Sequence, residues 1–252
     1  MGNLAIGAGV SVLTFLFGYA GMKLQRRLPE AHMSSGARDM IGAVMGLVAL
    51  LLALVLGTLI GSAYGFYATQ KANMETLAAR AIQLDMAFKQ YGPEAAPLHA
   101  ALQGAMTQAH KAIWVDNLDP TGYGLDKLVA GFERLNEGAA ELQPKTPQQI
   151  AALPTINFSI GIIEQTRLLV SLQLASPISW PLLFVVVSWA MLLFAGYGVL
   201  ARLNGTAIAA ALVGAFAVGS AVMLILELNA PFTGVFRLPA AAMEQTLGVL
   251  NR

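Results

Sequence analysis

Residues 42–67 read GAVMGLVALLLALVLGTLIGSAYGFY, and no charged side chain occurs from Met40 to Gln70. A helix rises about 1.5 Å per residue, so about 20 apolar residues cross the hydrocarbon core of a bilayer, which is roughly 30 Å thick. This stretch is longer than that. We therefore predict a membrane span here, and the rest of the chain is interpreted around it.

Glycine recurs every fourth residue in this span, at Gly57, Gly61 and Gly65, and one register earlier at Gly42 and Gly46. Residues four apart share a helix face, and small residues on that face let two membrane helices approach closely. We interpret the glycines as a helix-packing seam. A gate or hinge is the functional alternative.

The composition is that of a polytopic membrane protein. Of 252 residues, 56% are hydrophobic and 12% are charged, whereas soluble domains have about 25% charged residues. The net charge of +1, with scattered Lys and Arg, gives no reason to expect nucleic acid as a partner. The chain has no cysteine, which excludes disulfides and thiolate chemistry.

Three further segments are apolar and long enough to cross a bilayer: about Leu4 to Met22, Trp180 to Ala201, and Gly205 to Leu226. The first lacks the basic segment that precedes a signal-peptide core, so we predict a retained span. The last carries a second small-residue seam at Ala211, Ala215 and Gly219. We expect its partner to be the glycine strip of the second span.

About a hundred residues between the second and third spans are predicted to form helices outside the bilayer. The first is amphipathic and ends at Gly92-Pro93; others are expected over about 94–114, 125–142 and 146–176, with proline breaks at Pro144, Pro147 and Pro154. The predicted fold is all-α, with four transmembrane helices and a helical extramembrane domain between the second and third. Its predicted domains are residues 1–68, 69–176, 177–229 and 230–252.

Positive charge gives an expectation about membrane orientation. Four spans place the amino terminus, the helical domain and the tail on one side, opposite two short connections. Those connections are rich in basic residues, namely Lys23, Arg26, Arg27, Arg38 and Arg202. Short basic loops face the cytoplasm, so we expect a protein of the cell inner membrane with an extracytoplasmic helical domain.

Short motifs spread over nearly the whole chain carry a family resemblance. The specific ones are YGPEA at 91–95 and ILELNAPFTG at 225–234; they are accompanied by LPEAH at 28–32, Asp39, Leu84-Asp85, Ile113-Trp114 and Arg167-Leu168-Leu169. On these residues the chain resembles the bestrophin-like family of bacterial membrane proteins, built on a domain of unknown function. The resemblance implies four membrane helices and a link by name to anion channels. Asn229 stands where an acid is expected and His99 where a basic residue is expected, which leaves ion pairing at both positions open.

Polar residues near the spans are the candidate functional groups. Glu227 ends the fourth span, where a carboxylate is costly unless it pairs, reaches the interface or meets water. Arg167 lies three residues after Glu164, a spacing that favours a local ion pair, and Asp85 is interpreted as a buried packing group. The candidate ion-path or packing residues are Asp85, Arg167, Glu227, Asn229, Pro231, Phe232 and Gly234.

The sequence contains no pattern typical of catalysis. His32, His99 and His110 fall in separate segments without metal-ligand spacing, and no nucleophile or phosphate-binding motif occurs. We expect no metal, no cofactor and no enzymatic activity. The TGYG sequence at 121–124 is similar to a potassium filter, but the aspartates flanking it argue against a loop that re-enters the membrane.

Three functions remain open from the sequence. The first is a homo-oligomeric ion (anion) channel, with the glycine seam of the second span near the axis. The second is a membrane-anchored sensor or scaffold whose helical domain binds a protein partner. The third is a proton-channel subunit of an energy-transducing complex, in which such a helical insert is cytoplasmic. The lipid bilayer and further copies of the chain are the expected partners.

Overall fold

The computed structural model describes residues 2–29, 34–115, 135–174 and 179–252, and no strand occurs within those ranges. The helices are α1 (Gly2–Gln25), α2 (Ser35–Tyr91), α3 (Ala96–His110), α4 (Pro147–Leu174), α5 (Trp180–Leu200), α6 (Gly205–Leu228) and α7 (Ala241–Leu250). A 3-10 turn over Pro93–Ala95 precedes α3, a π turn over Lys111–Val115 follows it, and residues 135–140 are helical. The loop predicted at 116–124, most of the helix predicted at 125–142, and His32 lie outside the described residues.

Four of these helices, α1, α2, α5 and α6, are long and apolar enough to cross a membrane. The prediction of four spans is confirmed by their length and composition. Nine residues separate α1 from α2 in sequence, and four separate α5 from α6.

α2 is one continuous helix of 57 residues, although sequence reasoning treats its second half as a separate amphipathic helix. Residues 66–91 contain no glycine or proline, so nothing interrupts the backbone hydrogen bonds. The helix ends as predicted at Gly92, whose φ of 112° is a conformation that glycine adopts without strain. Pro93 then prevents continuation in the same direction.

The chain divides into two compact units. We call Met1–Phe66 with Ile178–Ala230 the span unit, and Tyr67–Pro177 with Pro231–Arg252 the helical unit. The span unit contains α1, α5, α6 and the apolar first half of α2. The helical unit contains the second half of α2 together with α3, α4 and α7.

In the span unit, α1 packs against α5 and α6 at glycine positions. Gly21 and Gly198 lie so close that a Cβ on either would stand 3.1 Å from the other's Cα. A Cβ on Gly219 would overlap the carbonyl oxygen of Gly7 and the hydroxyl of Ser11. The α6 seam of Ala211, Ala215 and Gly219 is buried, but Gly219 faces α1. The predicted partner, the glycine strip of α2, is therefore wrong for this seam.

The apolar half of α2 packs through the face opposite its glycines. Leu52, with Val55, Leu56 and Leu59, contacts Val186, Trp189 and Ala190 of α5 and Val218 of α6. An added Cβ would have no neighbour within 4 Å at any of the five glycines, Gly42, Gly46, Gly57, Gly61 and Gly65. The glycine strip is thus left open within the span unit, because branched side chains on the other face make the contacts.

The helical unit has its own hydrophobic core. It is formed by one face each of α2, α3, α4 and α7, closed by the short helix at 135–140. The most buried side chains in this core are Leu84, Phe88, Leu102, Leu135, Ile156, Ile163 and Leu250. Gly138 lies against Leu98, since a Cβ there would overlap the leucine side chain.

The start of α4 is fixed by a capping box. The hydroxyl oxygen of Thr146 accepts a hydrogen bond from the backbone N–H of Gln149, while Gln149 Oε1 accepts from the N–H groups of Thr146 and Lys145, at 3.2 and 2.7 Å. Pro154 does not break α4 as predicted. It lies in the second turn of a continuous helix, where it removes one backbone hydrogen bond.

Candidate functional site

The apolar half of α2 is less buried in the span unit than the other three membrane-length helices. In the most apolar window of α2, 6% of residues are buried, whereas the value is 28% for α1, α5 and α6. The exposed face begins with leucines, Leu47, Leu50 and Leu54, of which Leu50 is 72% exposed. It continues with small residues, namely Gly57, Thr58, Gly61, Ser62 and Gly65, and with one large side chain among them, Tyr64, which is 62% exposed. This face therefore changes along its length from bulky and apolar to small and partly polar.

Glu227 lies in the last turn of α6 and is 2% exposed. A buried carboxylate is stable only where other groups compensate the lost hydration. The helix ends two residues later, where the Asn229 side chain donates a hydrogen bond to Ile225 O at 2.8 Å. Asn229, which replaces the expected acid, thus acts as a helix cap.

The loop after α6 is closed by the residues of the LEL-x-x-PF-x-G motif. Leu238 N donates to Pro231 O at 2.8 Å, and exposed Gly234 has a φ of 84°, a left-handed conformation suited to glycine. Phe232, 3% exposed, is the side chain that this loop buries. The motif residues Pro231, Phe232 and Gly234 therefore shape and anchor one loop.

Two sequence-distant motifs meet at this loop. Phe232 and Leu238 pack with Val170 of α4 and with Ile113. The Trp114 indole N–H donates to Leu238 O at 2.9 Å, and the Arg237 guanidinium donates to Ile113 O. The Ile113-Trp114 motif and Phe232 of the second motif are thus parts of one structural cluster in the helical unit.

Arg167 lies on α4, one turn before Val170, and is half-buried. Glu164, one turn earlier, is also half-buried. The spacing keeps both residues on neighbouring positions of one face. Their local ion pair stays a prediction.

Asp85 forms the clearest charged contact of the helical unit. Its side chain is 1% exposed, and its two oxygens lie 2.7 Å from His99 Nε2 of α3 and 3.0 Å from Lys89 Nζ one turn along α2. His99 stands where the family pattern has a basic residue. Its imidazole is therefore positioned to pair with the Asp85 carboxylate. The contact joins α2 to α3 directly after the YGPEA corner.

Sequence reasoning missed the role of Gln149. Its amide donates to Tyr91 O at 3.3 Å and to Glu94 Oε2 at 3.2 Å, which links the start of α4 to the YGPEA corner. The Thr-x-x-Gln pattern at 146–149 is the signal that could have found the cap. The contact with the corner has no sequence signal, because it joins residues 55 or more positions apart.

Within the described ranges, no three His, Asp or Glu side chains are grouped closely enough to hold a metal ion. The charged pairs are instead dispersed: His110 lies 3.8 Å from Glu244, and Lys71 lies 3.8 Å from Glu75. The described residues therefore contain dispersed ion pairs and an open apolar face on α2.

These features define a polytopic, all-helical membrane protein with a packed helical unit. A family model described as the bestrophin-like domain matches residues 12–243. The chain belongs to the bestrophin-like family, as its motifs indicate.

Solved structures share the fold. A variant of a bacterial bestrophin homolog from Klebsiella pneumoniae has a TM-score of 0.70 at 12% identity, with 98% of this chain and 99% of that chain covered. A crystal structure described as a membrane protein variant has a TM-score of 0.71 at 12% identity, with 96% of each chain covered. The K. pneumoniae homolog phased with zinc has a TM-score of 0.64, also at 12% identity and 96% coverage of each chain. A comparison with curated proteins found no match.

Proposed function

We propose that this protein is a homo-oligomeric ion channel of the inner membrane, conducting anions, with the open face of α2 nearest the axis. In this proposal the helical unit is the extramembrane domain inserted between the second and third spans. The observation that carries it is the small buried share of α2 compared with the other three spans. A span that its own chain leaves uncovered is available to line a path between copies.

The residues on the open face suit a conduit. The small side chains at Gly57, Thr58, Gly61 and Gly65 leave room for an ion with part of its water. The leucines at Leu50 and Leu54 form an apolar ring when copies surround an axis, and such constrictions gate by excluding water. The glycine strip thereby takes a functional role instead of the packing role first assigned to it.

The proposal includes an oligomer because α1 packs against α5 and α6 at near-contact glycine positions. Those contacts close the three helices against one another at these positions, so the path is proposed to lie between copies. Closed rings of identical subunits place one helix of each copy around a shared axis.

The first test is the mass of the detergent-purified protein by light scattering. A ring gives a multiple of the 26.5 kDa chain mass, and a monomer contradicts the proposal. The second is electrical recording from the same protein in planar bilayers. A selective conductance supports the channel, and its absence at every pH and calcium level tested would remove it.

A membrane-anchored sensor or scaffold is the second candidate, favoured by an apolar stripe on α4. Ile150, Phe158, Leu168 and Leu172 lie on one face of that helix and are each more than half exposed. Exposed apolar surface on this scale marks an interaction site. Affinity capture with the full chain and with a Phe158→Ser, Leu172→Ser variant tests it: a heterologous protein lost only from the variant supports the scaffold.

A further inference from the structure

An apolar cavity of about 260 Å³ lies in the span unit between α1, α5 and α6. Gly198, which contacts Gly21, is one of the residues that line it. The residues that define it are Gly18, Met22, Phe194, Tyr197, Ala207 and Ala210. An apolar cavity of about 150 Å³ already holds benzene, so this one takes a longer piece of hydrocarbon.

The cavity lies close to one end of the spans. Met22 is three residues before the end of α1, Tyr197 is three residues before the end of α5, and Ala207 is the third residue of α6. At 1.5 Å per residue, the cavity is within about 10 Å of the helix ends. That is the depth of acyl chains just below lipid headgroups.

Basic side chains surround this end of the spans. Lys23 lies in the last turn of α1, and Arg26 and Arg27 come directly after that helix. Arg202 lies between α5 and α6, and all four side chains are exposed. A hydrogen bond of 3.3 Å from Arg26 Nη2 to Leu203 O joins the two connections. Lys23 Nζ lies 4.9 Å from the centre of the Tyr19 ring.

Acidic residues are scarce in the sequence at this end of the spans. Residues 1–29 and 179–226 contain no Asp or Glu. The first turns of α2, which approaches α5 through Met45 and Gly196, carry Arg38 and Asp39, whose charges cancel. In sequence, the two connections carry the four cations against one acid, Glu30, so their net charge is positive.

We propose that the cavity binds one anionic phospholipid, with an acyl chain between α1, α5 and α6 and the phosphate among Lys23, Arg26, Arg27 and Arg202. Within the bilayer, an acyl chain that fills the apolar cavity gains van der Waals contact with its walls. Guanidinium groups recognise phosphate oxygens by paired hydrogen bonds, and basic pockets between spans bind anionic headgroups. The site requires a membrane but does not depend on the channel proposal.

Native mass spectrometry of the detergent-purified full chain tests this site. The protein is incubated with phosphatidylglycerol or with phosphatidylcholine of the same acyl chains. We expect about tenfold tighter binding of phosphatidylglycerol. Equal binding of the two lipids would overturn the proposal, because the basic rim would then have no effect.

Filling the cavity gives the second arm of the test. Ala210→Leu places a side chain in the cavity and should lower phosphatidylglycerol binding at least tenfold. Ala209→Leu, an exposed neighbour on α6 that does not line the cavity, is the matched control and should retain it. Ala207→Leu replaces Ala210→Leu if the latter does not yield folded protein by gel filtration. Equal affinity in the filled and control variants would contradict the site.

Neutralising the rim gives the third arm. Lys23→Gln with Arg202→Gln should weaken phosphatidylglycerol binding about fivefold for each charge removed, with phosphatidylcholine binding unchanged. Lys111→Gln with Arg252→Gln removes two exposed charges of the helical unit as the control. If the control pair lowers binding as much as the rim pair, the attraction is non-specific and the proposed site is wrong.

Discussion

Asp85 shows how one carboxylate fixes the junction of two helices. It is buried in the helical unit, and it faces His99 of α3 and Lys89 of α2. Gly92, between these residues in sequence, has a φ of 112° that turns the chain from α2 into the 3-10 turn before α3. The YGPEA motif is therefore a structural corner. It depends on the positive φ of Gly92 and on the contact between Asp85 and His99.

Replacing Asp85 by Ala should lower the stability of the helical unit by about 1 to 2 kcal/mol, because the half-buried His99 imidazole and Lys89 lose their carboxylate partner. The change is measured as a lower midpoint of thermal unfolding in detergent. His99→Ala should have a smaller effect, and the double variant should be less destabilised than the sum of the two. Strict additivity would show that the contact contributes nothing.

Gly92→Ala should cost about 1 to 3 kcal/mol, since φ of 112° with ψ of −166° is a region that residues with a Cβ rarely adopt. Gly104→Ala is the matched control. Gly104 is helical with open space around it, so alanine there should stabilise α3 by up to about 1 kcal/mol. Opposite shifts of the unfolding midpoint are expected; equal shifts would contradict the strained corner.

At the scale of elements, small residues serve two different purposes in the spans. In α1, α5 and α6 they permit backbone contact, as at Gly7 and Gly219. In α2 they lie on a face where an added Cβ would meet no atom within 4 Å among the described residues. The same four-residue spacing thus describes a closed seam in one helix and an open surface in another.

Gly7→Ala should destabilise the contact of α1 with α6, because the new Cβ would lie 2.7 Å from Met223 Cβ and 2.9 Å from Gly219 O. Membrane helices associate through this kind of close packing. Gly9→Ala, two residues along α1 with open space, is the control and should leave the unfolding midpoint unchanged. A drop of similar size in both variants would contradict the specific contact.

Leu50→Ser should raise single-channel conductance several-fold if the open face of α2 lines the path, because a hydroxyl lowers the barrier to wetting an apolar constriction. Leu212→Ser, on an exposed face of α6 where the leucine is 50% exposed, should leave conductance unchanged. Recording both variants in bilayers of the same composition shows whether the conductance responds to the α2 face or to the exposed face of α6. A larger effect at Leu212 would place α6, not α2, at the path.

At the scale of the whole molecule, α2 belongs to both units: its first half is a span and its second half is part of the helical-unit core. The helix contains no proline, and it is continuous across the boundary between Phe66 and Tyr67. For a channel, this would give the helical unit a covalent connection to the face proposed to line the path.

The absence of cysteine permits a direct test of topology in intact cells. Single variants Arg202→Cys and Ala140→Cys, both at exposed positions, should react with a membrane-impermeant maleimide from opposite sides. Labelling of Ala140→Cys from outside supports the extracytoplasmic helical unit, whereas labelling of Arg202→Cys favours the cytoplasmic insert of the proton-channel analogy. Reaction of both from one side would contradict the four-span topology.

The sequence by itself determined the helical class, the four candidate spans, the end of α2 at Gly92 and the family, because hydrophobic length and backbone-restricting residues act locally. Only the tertiary structure decided which helix faces the α6 seam, that Pro154 lies within α4, that His99 meets Asp85, and that the α2 glycines stay open. Those facts depend on contacts between residues far apart in the chain. The spacing of small residues shows that a helix face can pack closely. The three-dimensional arrangement determines which helix it packs against.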